Sequence, residues 1–264
     1  MTSAILHISS APIERLISQS RRGSSALWFS AIAMVILALA GVALSQFDAR
    51  LFNGISVWDK PAKFFLAVAV QFATVAFALG FIERSRSTSI AASVLLLSGW
   101  AENLYIAYRA ALGEASHFNS TSAIASVAYA LMGLGAVAMT ATSGFIGWKV
   151  WRAKAGALLQ EAAGFGLVAA SVLGTVAGVA ISIHGGHWVG GEMSDAHGLG
   201  FFSWSTTGGD LRVAHFVGLH LAQALPLAAL SGSRHIVIAA AVLGAAAVAA
   251  TFVMGLMGMP LFTA

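Results

Sequence analysis

The sequence predicts an all-α integral membrane protein, a bundle of seven transmembrane helices with its N-terminus cytoplasmic and its C-terminus outside. Three observations lead there. Of 264 residues, 58% are hydrophobic and only 9% charged, and the mean hydropathy is +0.85, which is more apolar surface than a soluble core of this size buries. The apolar residues gather into seven runs, each long enough to cross roughly 30 Å of hydrocarbon as a helix. Lysine and arginine fall singly at the ends of those runs, nine on one side and five on the other, and the richer side is the cytoplasmic one.

Residues 1–25 are read as a cytoplasmic segment. Ile5, Ile8, Ile13, Leu16 and Ile17 ahead of Arg21 and Arg22 predict either a short helix along the inner leaflet or a disordered tail. The first span, 26–46, is preceded by too long a polar stretch for a secretory signal and is taken as an uncleaved anchor. The second covers 61–81, with Asp59 ahead of Pro61 as its expected N-cap. The others are 89–111, 121–147, 155–183, 212–231 and 236–257. Short connections make sequential helices antiparallel neighbours within one domain, 26–264. Gly174 and Gly178 in the fifth span, and the alanine-rich seventh span with Gly244 and Gly255, mark close helix packing. Trp28, Trp148 and Trp151 suit an inner aromatic belt, and Trp58, Trp188 and Trp204 an outer one.

One connection is unlike the rest. Residues 184–211 hold eight glycines together with Trp188 and Trp204, and form either a lid folded over the bundle or a mobile loop resting at the interface. No glycine pattern there is a dinucleotide fingerprint.

The ionisable residues inside the apolar runs gather toward the outer side, where such groups mark a functional site. Glu102 and Asn103 in the third span and His220 in the sixth lie at one depth, roughly 12 Å from the outer boundary. Ser98, Glu102, Tyr105 and Arg109 make a stripe at helical spacing, while Arg212, His215, His220 and Gln223 fan across one side of the sixth span. Lys63 and Gln71 in the second span, with Trp58 and Lys60 just before it, offer a third wall. Asp210, after Ser205-Thr206-Thr207 and two glycines, reads as a helix N-cap twice as readily as an acid or base. His117 and His197, alone in loops, support no ligand claim.

Composition limits the chemistry. With no cysteine, disulfides, iron–sulfur clusters and thiolate metal sites are excluded, and scattered basic residues argue against nucleic acid. HExxH is absent, as are the histidine boxes of membrane diiron enzymes, and the seventh span has no lysine to hold retinal. The leading expectation is a membrane redox protein. His215 and His220, with His184 or His187 from the loop, would ligate haem b or an iron, copper or zinc ion, with Trp188 and Trp204 beside the cofactor. Glu102, Asn103, Arg109 and Asp210 would act on protons or support the ligands. The runner-up, built on the same residues, is a proton-coupled transporter or small-solute binding protein, and a third reading makes the long loop the docking element of a non-catalytic subunit. A quinone or small hydrophobic substrate, an oligomer, and a bacterial inner membrane with the site facing the periplasm complete the expectation.

Overall fold

A computed structural model describes residues 23–153 and 156–263; the inner-leaflet helix or tail expected nearer the N-terminus lies outside the described residues. These hold seven α-helices: α1 Ser25–Leu44, α2 Asp59–Leu79, α3 Arg86–Ala111, α4 Ala123–Arg152, α5 Leu158–His184, α6 Leu211–Ala229 and α7 Arg234–Leu256. They fall on the predicted runs, with α4 continuing past its predicted end at 147. All but α6 are long and apolar enough to cross a membrane. α6 has 19 residues but carries Arg212, His215, His220 and Gln223.

Helix ends follow local chemistry. Ser85 and Thr88 close a reciprocal capping box at the start of α3, and Ser122, Asp210 and Ser233 each accept a backbone N–H at the starts of α4, α6 and α7. Asp59 departs from expectation: it is already the first residue of α2, and Trp58 holds the cap position without a side-chain bond. α5 ends where Gly185 turns left-handed at φ 75°, a conformation glycine adopts at no steric cost.

Two antiparallel hairpins decorate the bundle. β1 (Leu51–Phe52) pairs with β2 (Ile55–Ser56) between α1 and α2, and β3 (Trp188–Val189) pairs with β4 (Gly209–Asp210) across the neck of the long loop.

α2 is the central helix, packed against α1, α3, α4 and α5. Phe72, Val75, Ala76 and Ala78 are fully enclosed, whereas Phe29, Leu97, Leu134, Val172 and Leu243 point outward. This distribution suits lipid, which accepts exposed apolar side chains. Small residues set the closest approaches. A methyl at Gly164 would strike the Trp151 backbone, one at Gly166 the Leu221 carbonyl, and Gly218 faces the backbone at Gly174. The expected packing roles of the fifth and seventh helices are met: Gly174 and Gly178 lie against α6, and Gly244 and Gly255 against Leu221 and Leu211. Gln71 Nε2 donates to Ser143 Oγ, and Gln223 Nε2 to Thr74 Oγ1, both at 2.7 Å; each joins two helices through a polar contact.

Gly164→Ala is expected to cost about 1–3 kcal/mol, the usual penalty of overpacking. Gly135→Ala, where the added methyl would meet nothing within 4 Å, should be neutral or slightly stabilising. Thermal unfolding of both variants in one detergent checks the contrast.

Candidate functional site

The polar site opens from a cavity of about 680 Å³ walled by α2, α3, α4, α5, α6 and the loops at one end of the bundle. Its volume is typical of small-molecule sites, as is its makeup of apolar walls with a few converging polar groups.

The first polar group is built on Arg212, in the first turn of α6. Its guanidinium reaches Asp210 through Nε (3.0 Å) and Nη2 (2.7 Å), donates from Nη2 to the Ser203 carbonyl at 2.7 Å, and forms an ion pair with Asp195 at 2.9 Å. Asp210 also accepts the Arg212 and Ser205 backbone N–H groups, both at 3.0 Å. It therefore serves as the N-cap, as the sequence favours, and its two oxygens are occupied. Trp188 lies against the Arg212 guanidinium and the His187 ring. The Asp195 N–H donates to the Asn53 carbonyl at 2.9 Å, tying the long loop to the β1–β2 hairpin. The loop thus folds over the bundle, and His187, Asp195 and Phe202 line the cavity.

The second group is a chain of three side chains from separate segments. Lys60 Nζ, in the first turn of α2, lies 3.2 Å from His117 Nδ1. His117 Nε2 lies 3.9 Å from Glu102 Oε1 on α3. Lysine only donates, so Nδ1 is the acceptor and the ring proton of neutral His117 sits on Nε2, toward the carboxylate. Glu102 is buried, lines the cavity, and its Oε2 has no hydrogen-bond partner. Unmet hydrogen-bonding capacity in a buried carboxylate is costly and calls for an explanation.

His215 is the third polar feature. Its Nδ1 lies 2.8 Å from the Gly174 carbonyl, which can only accept, so the proton is on Nδ1 and the Nε2 lone pair is unshared. Gly178 leaves room for the ring, as a methyl there would press on Cε1 and Nδ1.

Other sequence candidates stand apart. His220 donates from Nδ1 to the Phe216 carbonyl at 2.8 Å and stacks on Phe216, outside the cavity lining. Asn103, next to Glu102 in sequence, donates to the Gly99 carbonyl at 2.9 Å and also does not line the cavity. Arg109 pairs with Glu114 at 2.5 Å and donates to the Ala115 carbonyl at 3.2 Å, bracing the loop after α3. His184 is exposed at the end of α5, and Trp204 stacks on Phe202. Among the described residues no three His, Asp or Glu side chains are grouped so as to hold a metal ion.

Sequence reasoning missed His117 and Asp195. Neither has a motif around it. The one available signal was that the polar loop containing Glu114, His117 and Asn119 connects at the same end as Lys60.

The loop groups titrate abnormally. Burial and the nearby Lys60 charge hold His117 well below 6.5, and burial holds His187 below its usual value despite Asp195. For Asp195, burial raises the carboxyl, but His187 and Arg212 outweigh it and the net shift is downward.

Comparison with known protein families, characterised proteins and solved structures gives no match.

A histidine kept neutral in the fold binds its proton only on unfolding, so stability should fall as pH drops below 6.5, by up to about 1.4 kcal/mol per pH unit for each such group. The Asp195 contribution is present above 3.8 and is lost only below it. Melting curves between neutral pH and the carboxylate range should therefore slope, and His117→Asn should flatten them. Arg212→Ala leaves Asp210 and Asp195 without their shared cation and should cost about 3–5 kcal/mol, measured as a lowered denaturation midpoint.

Proposed function

We propose that this chain is a membrane-embedded binding protein or carrier for a small, partly polar molecule, with Glu102 exchanging a proton with the bound molecule. The observation that carries this reading is the buried Glu102 carboxylate in the cavity wall, with one oxygen unpartnered. Lys60 strengthens it. Its ammonium lies near Phe64 and donates to His117, a neutral partner, and it lines the same cavity. A ligand oxygen accepting from Lys60 and an O–H donating to Glu102 would meet both demands.

The reading includes seven crossings, with the cavity toward the exterior. α6 lies between α5 and α7, and its polar groups are met inside the protein: Arg212 by carboxylates, His215 and His220 by carbonyls, Gln223 by Thr74. Such a helix can cross without offering charge to lipid. Trp28 opens α1 and Trp148 and Trp151 close α4, at the end rich in lysine and arginine.

A second reading rests on His215. An imidazole whose Nδ1–H is fixed by a backbone carbonyl and whose Nε2 is unshared has the arrangement of a metal-ligating histidine, and a single haem or metal ion held there would give the redox protein that the sequence also supports. Oxidised and dithionite-reduced absorbance spectra with elemental analysis test it. A Soret band or bound metal that His215→Ala removes supports it, and a featureless, metal-free protein removes it.

For the main reading, wild-type protein purified in mild detergent should carry a small organic molecule detectable by mass spectrometry of a solvent extract. Glu102→Gln and Lys60→Met should lose it while still unfolding cooperatively. Equal extracts from all three proteins would overturn the assignment.

A further inference from the structure

α4 and α5 touch over only part of their length. Toward the α4 C-terminus they are in close contact: a methyl at Gly144 would strike Ser171, and one at Gly147 would strike Leu167 and the Gly164 carbonyl. Between Thr140 and Tyr129 the packing opens, and a methyl at Gly133 would meet nothing within 4 Å. The gap is bounded by two side-chain bridges. Thr175 Oγ1 donates to Thr140 Oγ1 at 3.0 Å at its closed end, and Tyr129 and Ser182 hydroxyls meet at 3.2 Å at the other. On α4 these bars are eleven residues apart, roughly 16 Å of helix.

The gap is continuous with the polar cavity. Gly133, Val137, Gly178 and Val179 between the bars line the same space as Lys60, His117 and Glu102. Its rim is aliphatic and faces outward, with Leu134 68% and Val179 43% exposed, on two helices apolar enough to span a membrane. With these helices crossing a bilayer as proposed above, an opening at that position would face hydrocarbon rather than water. Tyr129 links the two regions, since its ring lies against the rings of His117 and Phe118.

We infer that the gap between α4 and α5 is a lateral portal through which a single-chain amphiphile of the bilayer places its oxygen headgroup at Lys60 and Glu102 and leaves its hydrocarbon tail between the two helices. The inference rests on the binding reading above and adds the ligand class and the entry route. A water-soluble solute would have no use for an aliphatic slot opening on lipid. A two-chained lipid would need room beyond the single slot between the bars. Headgroup recognition needs one hydrogen-bond acceptor for Lys60 and one O–H for Glu102, so acids and alcohols share the required chemistry.

The test uses the full-length protein in nanodiscs with two photoreactive probes, a long-chain fatty acid and the corresponding long-chain alcohol, each carrying a mid-chain diazirine. At least one should label α4 and α5 peptides lining the gap, and the one that does identifies the headgroup. Gly133→Phe fills open space between the bars and should cut that labelling roughly tenfold, the equivalent of about two buried methylenes. Gly135→Phe is the control, because that position is equally uncrowded but lies outside the cavity lining, and it should label as wild type. Labelling confined to other helices, or unchanged in Gly133→Phe, overturns the portal. If Gly133→Phe still carries the extractable molecule that Glu102→Gln loses, the binding site stands and the portal falls. Gap labelling that Gly133→Phe reduces and Glu102→Gln does not supports the portal and overturns the role given to Glu102.

Discussion

Placing two carboxylates where water barely reaches is tolerable only beside a cation, and the half-buried Arg212 is the cation this bundle supplies to both. Asp210 and Asp195 expose 2% and 8% of their side chains, so neither could stay ionised there unpaired at a small cost. Arginine suits the position because Nε and Nη2 hydrogen-bond Asp210, Nη2 also reaches the Ser203 carbonyl, and the same charge pairs with Asp195 at 2.9 Å without a hydrogen bond. The consequences are architectural. Asp210 begins α6, Ser203 and Asp195 belong to the long loop, and Asp195 carries the loop onto the β1–β2 hairpin at Asn53. One side chain thereby fixes the cavity wall formed by His187, Asp195 and Phe202.

Glycine placement shapes the rest of the cavity. Helix pairs in lipid gain nothing from burying apolar surface against each other, so contact depends on how closely backbones can approach. Gly144, Gly147 and Gly164 draw α4 onto α5 at one end, while Gly174 and Gly178 on the other half of α5 face α6 instead. α5 therefore commits its small residues to two different neighbours. Beyond the Thr140–Thr175 bridge the packing of α4 on α5 opens.

The helices were legible because hydropathy and length are properties of contiguous residues. The Asp210 cap was legible for a similar reason: capping is decided within one turn. Site membership was less so. Glu102 and Asn103 share a depth, but they differ by 100° around the helix, and only Glu102 meets the cavity. The stripe from Ser98 to Arg109 is geometrically sound, yet Arg109 is drawn away by Glu114 and the Ala115 carbonyl. His215 and His220 were grouped by polarity, although roughly 140° of helix rotation separates them and each spends its Nδ1 proton on a carbonyl. His117 was illegible for a different reason. Its position depends on how the loop after α3 folds back toward α2, a long-range closure with no local periodicity to reveal it.

That closure has a chemical result. With Lys60 donating to Nδ1 and the Ser116 hydroxyl 3.1 Å from the same atom, His117 is kept in the tautomer whose Nε2–H points toward Glu102. The 3.9 Å separation is too long for a hydrogen bond, so the ring and the carboxylate are aligned without being joined. A ligand oxygen lying to one side of the pair, at hydrogen-bond distance from both atoms, could accept from the ring and donate to the carboxylate at once. Neutral His117 matters here, because an imidazolium would pair with Glu102 and remove the need for any third partner. The burial and the Lys60 charge that hold the ring neutral therefore also keep the carboxylate available.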